Sequence, residues 1–227
     1  MKNRYRFPTR VIGRRAPRLA ILIVCEGEKT EPNYFRSLAE ALRLGPLVDV
    51  QVEGEGCGSA PISVVDHAIE ARDERKQANK KGFASVAFEE VWCVMDVEAP
   101  KPHQSLDQAY GKARANKIMV ALSNPCFEYW YILHFERTSK TFHENKEVRR
   151  HLGKYITKYE KGNKGNFELV RRFTKTAVEH AKAVIREKHY GEDIRKSVPS
   201  THVHKVVELL VAQSPRGYDA LLRQGEK

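Results

Sequence analysis

No apolar stretch in this chain is long enough to cross a bilayer, and its N-terminus has no hydrophobic middle segment of the kind that directs export. A protein of the cytoplasm without membrane contact is therefore expected. Cysteine is scarce: Cys25, Cys57, Cys93 and Cys126 stand singly, two of them inside apolar strand-like runs. That usage offers no disulfide framework and suits a reducing compartment. The zinc spacings C-x-x-C and H-E-x-x-H are missing, and so is the G-x-S-x-G of serine hydrolases. His202 and His204 lie close in sequence without such partners, which favours polar lining or phosphate contact over zinc. Internal repeats and low-complexity blocks are absent as well.

Acid is missing from the first 18 residues, which carry Lys2, Arg4, Arg6, Arg10, Arg14, Arg15 and Arg18 around Pro8 and Pro17. Such a segment does not fold alone. It is either a solubilising tail or an arm that grips a polyanion, and the net charge of +11 over the 227 residues favours nucleic acid. With 41% hydrophobic residues, the remaining chain is long enough to bury a substantial core without staples.

The stretch "VCEGEKTEPNYF" (24–35) ends an apolar run in a burst of charge. A phosphate-cradling loop would need glycine immediately before Lys29 and five residues earlier, where the chain has Glu28 and Ile23. An anionic side chain beside a triphosphate repels it, so Glu26 reads better as a carboxylate delivered by a strand end.

"LAILIVC" (19–25) is continuously apolar, the pattern of a parallel strand covered on both faces. Thr30 is placed to cap the next helix, Pro32 falls in its first turn, and Phe35, Leu38, Ala39 and Leu42 repeat at helical spacing. Gly45-Pro46 breaks that helix, and alternation from Leu47 predicts an edge strand. "GEGCGS" (54–59) reads as a plain turn or a phosphate nest, ahead of a helix over 61–81. Strands follow at 91–95 and 117–122 around a helix over 105–116. Four strands alternating with helices predict a doubly wound parallel sheet. Beyond Asn124 the pattern turns helical, with Asn124 as N-cap and Pro125 as first helical residue of "PCFEYWYILHFE", then helices over 144–159, 166–188 and 201–212. The predicted layout is a basic arm (1–18), an α/β domain (19–140) and a helical, basic region packed on it (141–227).

Ligands of an open parallel sheet collect outside the carboxyl ends of its strands. Glu26 ends the first strand and Asp96 the third. Glu98 lies two residues on, on the same face if the backbone stays extended. Three carboxylates at one rim repel unless a cation neutralises them, and oxygen ligation suits Mg²⁺ or Mn²⁺. Taken singly, each acid reads better as a solvated loop residue or a partner of Lys29 or Lys101; the joint pattern of E-G after one buried strand and D-x-E after another is rarer. Glu128 is the acid of an otherwise apolar helix, open between a structural ion pair and the active site, whereas His134 reads as a hydrogen-bonded core histidine. Lys154, Lys158, Lys161, Lys164, Arg171 and Arg172 either line a nucleic-acid groove or form a solvated helix face.

"ILIVCEGEKTEPNYF", "MDVE", "ALSNPCFEYWYILHFE" and "PSTHVHKVVELL", in that order, resemble the RloB-like family over residues 21–212. The resemblance implies a TOPRIM-related fold and an association with bacterial restriction and phage-defence loci. It aligns Glu26 with the strand-end glutamate, Asp96 and Glu98 with the D-x-D metal ligands, and marks Glu31 as an additional acid. Glu98 departs from the usual second aspartate, and Ala99 follows it. The reading expected is a Mg²⁺- or Mn²⁺-dependent nuclease acting on DNA or RNA. In it Glu26, Lys29, Glu31 and Glu128 serve catalysis, and Glu26, Asp96 and Glu98 hold metal. The Glu98 departure motivates the alternative: a nucleic-acid-binding sensor subunit with impaired catalysis, working with a partner ATPase.

Overall fold

Strand β1 (Leu19–Cys25) is buried along nearly its whole length, as its unbroken apolar run demands, and sits second in a five-stranded sheet. The computed structural model describes residues 19–44, 48–82, 86–98, 101–187 and 196–222; the basic arm, with Arg4, Arg6, Arg10, Arg14, Arg15 and Arg18, lies outside them. The sheet runs β2-β1-β3-β4-β5, with β2 (Val48–Glu53) at one edge, then β3 (Glu90–Asp96) and β4 (Met119–Asn124) beyond β1, and β5 (Ser200–Thr201) at the other edge. The β1–β2, β1–β3 and β3–β4 pairings are all parallel, so the carboxyl ends of the strands open on one rim.

The fifth strand was not expected. β5 (Ser200–Thr201) pairs antiparallel with the end of β4, Ser123 opposite Thr201 and Asn124 opposite Ser200. Two residues carry no readable alternation; their pairing is imposed by the free edge of β4. The helical half thus completes the sheet and closes the β4 edge.

Helix α1 (Thr30–Leu42) covers one face of the sheet, and α2 (Pro61–Lys80) with α3 (Leu106–Ala115) covers the other. Lys29, not Thr30, is the N-cap of α1, and Thr30 is its first helical residue. The following region supplies α4 (Glu128–Leu133), α5 (Asn145–Leu152), α6 (Asn166–Val170), α7 (Thr174–Glu187) and α8 (Val203–Gln213). Three predictions fail here, the first being the helix expected over 144–159, which ends at Leu152. Asn124 ends β4 as a strand residue, and the helix starts only at Glu128 with Phe127 as N-cap. The single helix expected over 166–188 is two, joined by a 3₁₀ turn at Arg171–Phe173. No helix among the described residues is long and apolar enough to cross a membrane.

Tyr34 joins the two halves. Its ring meets Phe35, Phe127, Trp130, Tyr131, His134 and Phe167 edge-on, with centroids 5.3–6.3 Å apart. His134 is a core residue: its Nδ1 hydrogen bonds to Trp130 O at 2.9 Å, its Nε2 lies 3.4 Å from the Tyr34 hydroxyl, and burial lowers its pKa to about 3. Tyr34→Phe keeps the packing and strips the imidazole of this partner, so it should cost about 1 kcal/mol in urea unfolding. A neutral result would show that the hydroxyl bond is energetically idle.

Candidate acidic site at the carboxyl rim

β1 and β3 are hydrogen-bonded neighbours, and this places Glu26 beside Asp96. The Glu26 N–H donates to Val94 O at 3.0 Å, extending the ladder one step, and the Asp96 N–H donates to Glu26 Oε2 at 2.9 Å. One carboxylate is thereby anchored to the backbone carrying the other. Gly27 lets the chain leave the strand with Glu31 folded over it: a Cβ at Gly27 would lie 2.0 Å from Glu31 Oε2. Glu31, in the first turn of α1, is 5% exposed, and its Oε2 has no hydrogen-bond partner in the protein. Gly27→Ala forces that carboxylate aside. Overpacking of this kind costs about 1–3 kcal/mol, measurable as a lowered denaturation midpoint; an unchanged midpoint would mean Glu31 swings away freely.

Glu128 is contributed by α4. It is 2% exposed, and its Oε1 accepts the Tyr159 hydroxyl at 3.3 Å. Burial, followed by the charges of Glu31, Glu26 and Glu128, raises the Asp96 carboxyl well above the usual range, while the Phe127 N–H draws it down. Burial likewise raises Glu26, to about 7, with Glu98 and Glu31 adding to it and the Asp96 N–H and Lys161 opposing. Glu31 is raised first by burial and then by Glu128, against its own backbone N–H and Lys161. Four acids from three separate segments therefore share one rim.

Glu98 behaves differently from expectation. β3 ends at Asp96, and Glu98 has φ of 56°, with its N–H donating to Pro125 O at 2.9 Å. The extended backbone that would set Glu98 parallel to Asp96 is broken at this residue. Glu98 is exposed, and its charge reaches Glu26 from the outer edge of the rim. Glu128, from α4, is a further acid whose charge reaches Asp96.

Lys29 is exposed, and its stem packs on Gly162, whose carbonyl accepts from Asn33 Nδ2 at 2.8 Å. The "KGNKGN" loop is thus docked on the start of α1, and Lys161 rather than Lys29 carries the positive charge felt by Glu26 and Glu31. Sequence had placed Lys161 only in a general basic groove; a contact spanning 129 residues has no local signature. Lys154, Lys158, Lys164 and Arg172 are exposed. Arg171 is half-buried and pinned, donating to Leu221 O at 3.2 Å and to Glu168 Oε2 at 3.1 Å. His202 and His204 are buried at the start of α8 and lowered by burial to about 3 and about 4, so they face the interior rather than a phosphate.

The residues fit a hard divalent cation. Buried carboxylates, one of them with an orphaned oxygen, need positive charge or donors to offset desolvation. Among the described residues no three of these acids bring oxygens within 4.8 Å of one another.

A mostly parallel α/β sheet with a cluster of acids outside its strand ends defines a class: open-sheet proteins whose ligand site lies at the carboxyl rim. Within it, a family model for RloB-like proteins matches residues 21–210, and the chain belongs to the RloB-like family. The matched span contains Glu26, Glu31, Asp96, Glu98 and Glu128. No curated protein and no solved structure matches the chain.

Proposed function

We propose that this protein is a metal-dependent nuclease of TOPRIM-related fold, hydrolysing phosphodiester bonds of DNA or RNA in bacterial phage defence or restriction. The observation that carries the reading is the gathering of Glu26, Glu31, Asp96 and Glu128 at one rim, with Glu31 Oε2 buried and unpartnered. Glu26 and Asp96 would hold the ion, Mg²⁺ or Mn²⁺, with Glu31 and Glu128 beside them and Glu98 at the outer edge. Bound there, it supplies Lewis-acid polarisation of a phosphate and a more acidic water.

The chain's own groups do the rest. Glu26 is fixed by the Asp96 N–H, so its carboxylate is held in one place to accept or return a proton at an attacking water. Lys161, on the docked loop, with Lys29 beneath that loop at the start of α1, offers positive charge where the phosphate gains negative charge. Exposed Lys154, Lys158, Lys164 and Arg172, together with the basic N-terminal arm, grip the backbone and position the strand.

A second reading has its own observation. The outward turn at Glu98 removes one expected ligand from the centre, which suits a nucleic-acid-binding sensor that relies on a partner ATPase. The deciding experiment is cleavage of a panel of DNAs and RNAs with Mg²⁺ or Mn²⁺ by wild type, Glu26→Ala and Asp96→Ala. Metal-dependent cleavage lost in both variants selects the nuclease. Binding without cleavage under every condition selects the sensor.

A further inference from the structure

The acidic rim is not the tightest group of potential ligands in the molecule. Among the described residues, one set of three His, Cys, Asp or Glu side chains has its ligand atoms all within 4.8 Å of one another: Glu53, Cys57 and His67. They come from the last residue of β2, the glycine-rich loop after it, and the second turn of α2. We propose that these three side chains bind a borderline-soft divalent cation, with Zn²⁺ the best match, which clamps the β2–α2 loop against the acidic rim.

The donor set selects the ion. One carboxylate oxygen, one thiolate sulfur and one imidazole nitrogen are the ligands zinc takes, whereas Mg²⁺ and Mn²⁺ prefer oxygen throughout. Zinc bonds of about 2.0–2.3 Å in a tetrahedron set ligand atoms roughly 3.3–3.8 Å apart, so the existing trio needs only small side-chain rotations. His67 Nε2 already contacts Glu53 Oε2, and both side chains are about one-third exposed, at 33% and 34%. Cys57 is 3% exposed and closes the inner side. The flanking Gly56 and Gly58 take φ of 79° and 78°, a reversal that turns the intervening cysteine inward. An ion entering from solvent replaces the His67–Glu53 contact with bonds to both and displaces the thiol proton, which leaves to water. Three protein ligands leave the fourth position for a water.

The loop so held touches the acidic site. A Cβ at Gly54 would lie 2.5 Å from Gly27 O and 2.4 Å from Pro32 Cγ, so Gly54 presses its backbone on the turn that follows Glu26 and on the first turn of α1. Fixing Glu53 and Cys57 on either side of Gly54 fixes that contact. The ion is thus a positioning element for Glu26 and Glu31, chemically distinct from any ion at the rim.

The test uses Co²⁺ as a spectroscopic probe on the full chain freed of metal by chelation. Wild type should develop a thiolate-to-cobalt charge-transfer absorption that saturates at a single Co²⁺ and is displaced by Zn²⁺. Cys57→Ser should lose it, and His67→Gln should weaken Co²⁺ affinity by more than about 100-fold, since even outer-shell changes cost up to that much. Cys126→Ser, which alters the thiol beside Glu128 and Asp96, should leave it intact. The proposal is overturned by a folded wild type without the band, by a band that persists in Cys57→Ser, or by one that disappears in Cys126→Ser. If Cys57→Ser does not fold, His67→Gln decides, because its partly exposed imidazole is replaced by a polar chain of similar reach.

Discussion

Asp96→Asn should abolish metal-dependent cleavage and, in the metal-free protein, raise the melting temperature. The two effects share one cause. Asp96 stands among Glu31, Glu26 and Glu128, and burial with these neighbours works against its ionised form. Asparagine keeps an oxygen to accept the Phe127 N–H and keeps the side-chain volume, while removing the charge. The repulsion relieved is on the order of 1 kcal/mol, which for a chain of this size moves the midpoint up by about 2–4 °C. The same change deletes a charged ligand, so cleavage should fall by more than about 100-fold, beyond the loss usual for second-layer residues. Calorimetry and a nuclease assay on one preparation check both. A variant that loses activity and stability together would show that Asp96 is structural, its charge already compensated by the fold.

Most of the sheet was readable because its determinants are local. "LAILIVC" reads as a strand buried on both faces, and the helical spacing of Phe35, Leu38, Ala39 and Leu42 indicates the face of α1 that packs inward. From there the strand-end rule leads to Glu26 and Asp96. Glu128 was visible as an anomaly, a carboxylate in an apolar helix, but its alternatives stayed open until the structure set it near Asp96 and Glu31.

What escaped was long-range or conformational. β5 exists because β4 has a free edge, and two residues cannot announce that. The left-handed turn at Glu98 depends on the Pro125 carbonyl, supplied by the chain after β4. Lys161 reaches Glu26 and Glu31 because Asn33 and Lys29 dock its loop, a matter of surface fit. Cys57 and His67 looked ordinary in sequence because a cysteine followed by a histidine ten residues on matches no zinc spacing; their partner Glu53 is brought by the strand.

The acidic cluster also fixes how stability should respond to pH. Glu26 titrates near 7 in the folded chain against 4.5 as its ordinary value, so between those limits the folded state binds more protons than the unfolded one. Stability therefore falls as pH rises from about 4.5 to about 7 and levels off above that as far as Glu26 is concerned. A pKa that differs by one between the folded and unfolded chain corresponds to about 1.4 kcal/mol, and allowing for partial exposure Glu26 alone removes on the order of 2 kcal/mol across the window. Glu31 and Asp96, raised for the same reasons, add to the decline from the ordinary carboxylate range upward. Mg²⁺ or Mn²⁺ takes the ionised form, so a saturating concentration should flatten the slope, with the largest gain in melting temperature at the alkaline end. Glu26→Gln should flatten it partly without metal, because the glutamine has no proton to lose and relieves Asp96 of one neighbouring charge. Melting curves from pH 5 to 8, with and without the ion, measure all three slopes. A metal-free protein that gains stability as pH rises through this window would mean that Lys161 and the backbone amides already neutralise the cluster, and that the rim holds no need for an ion.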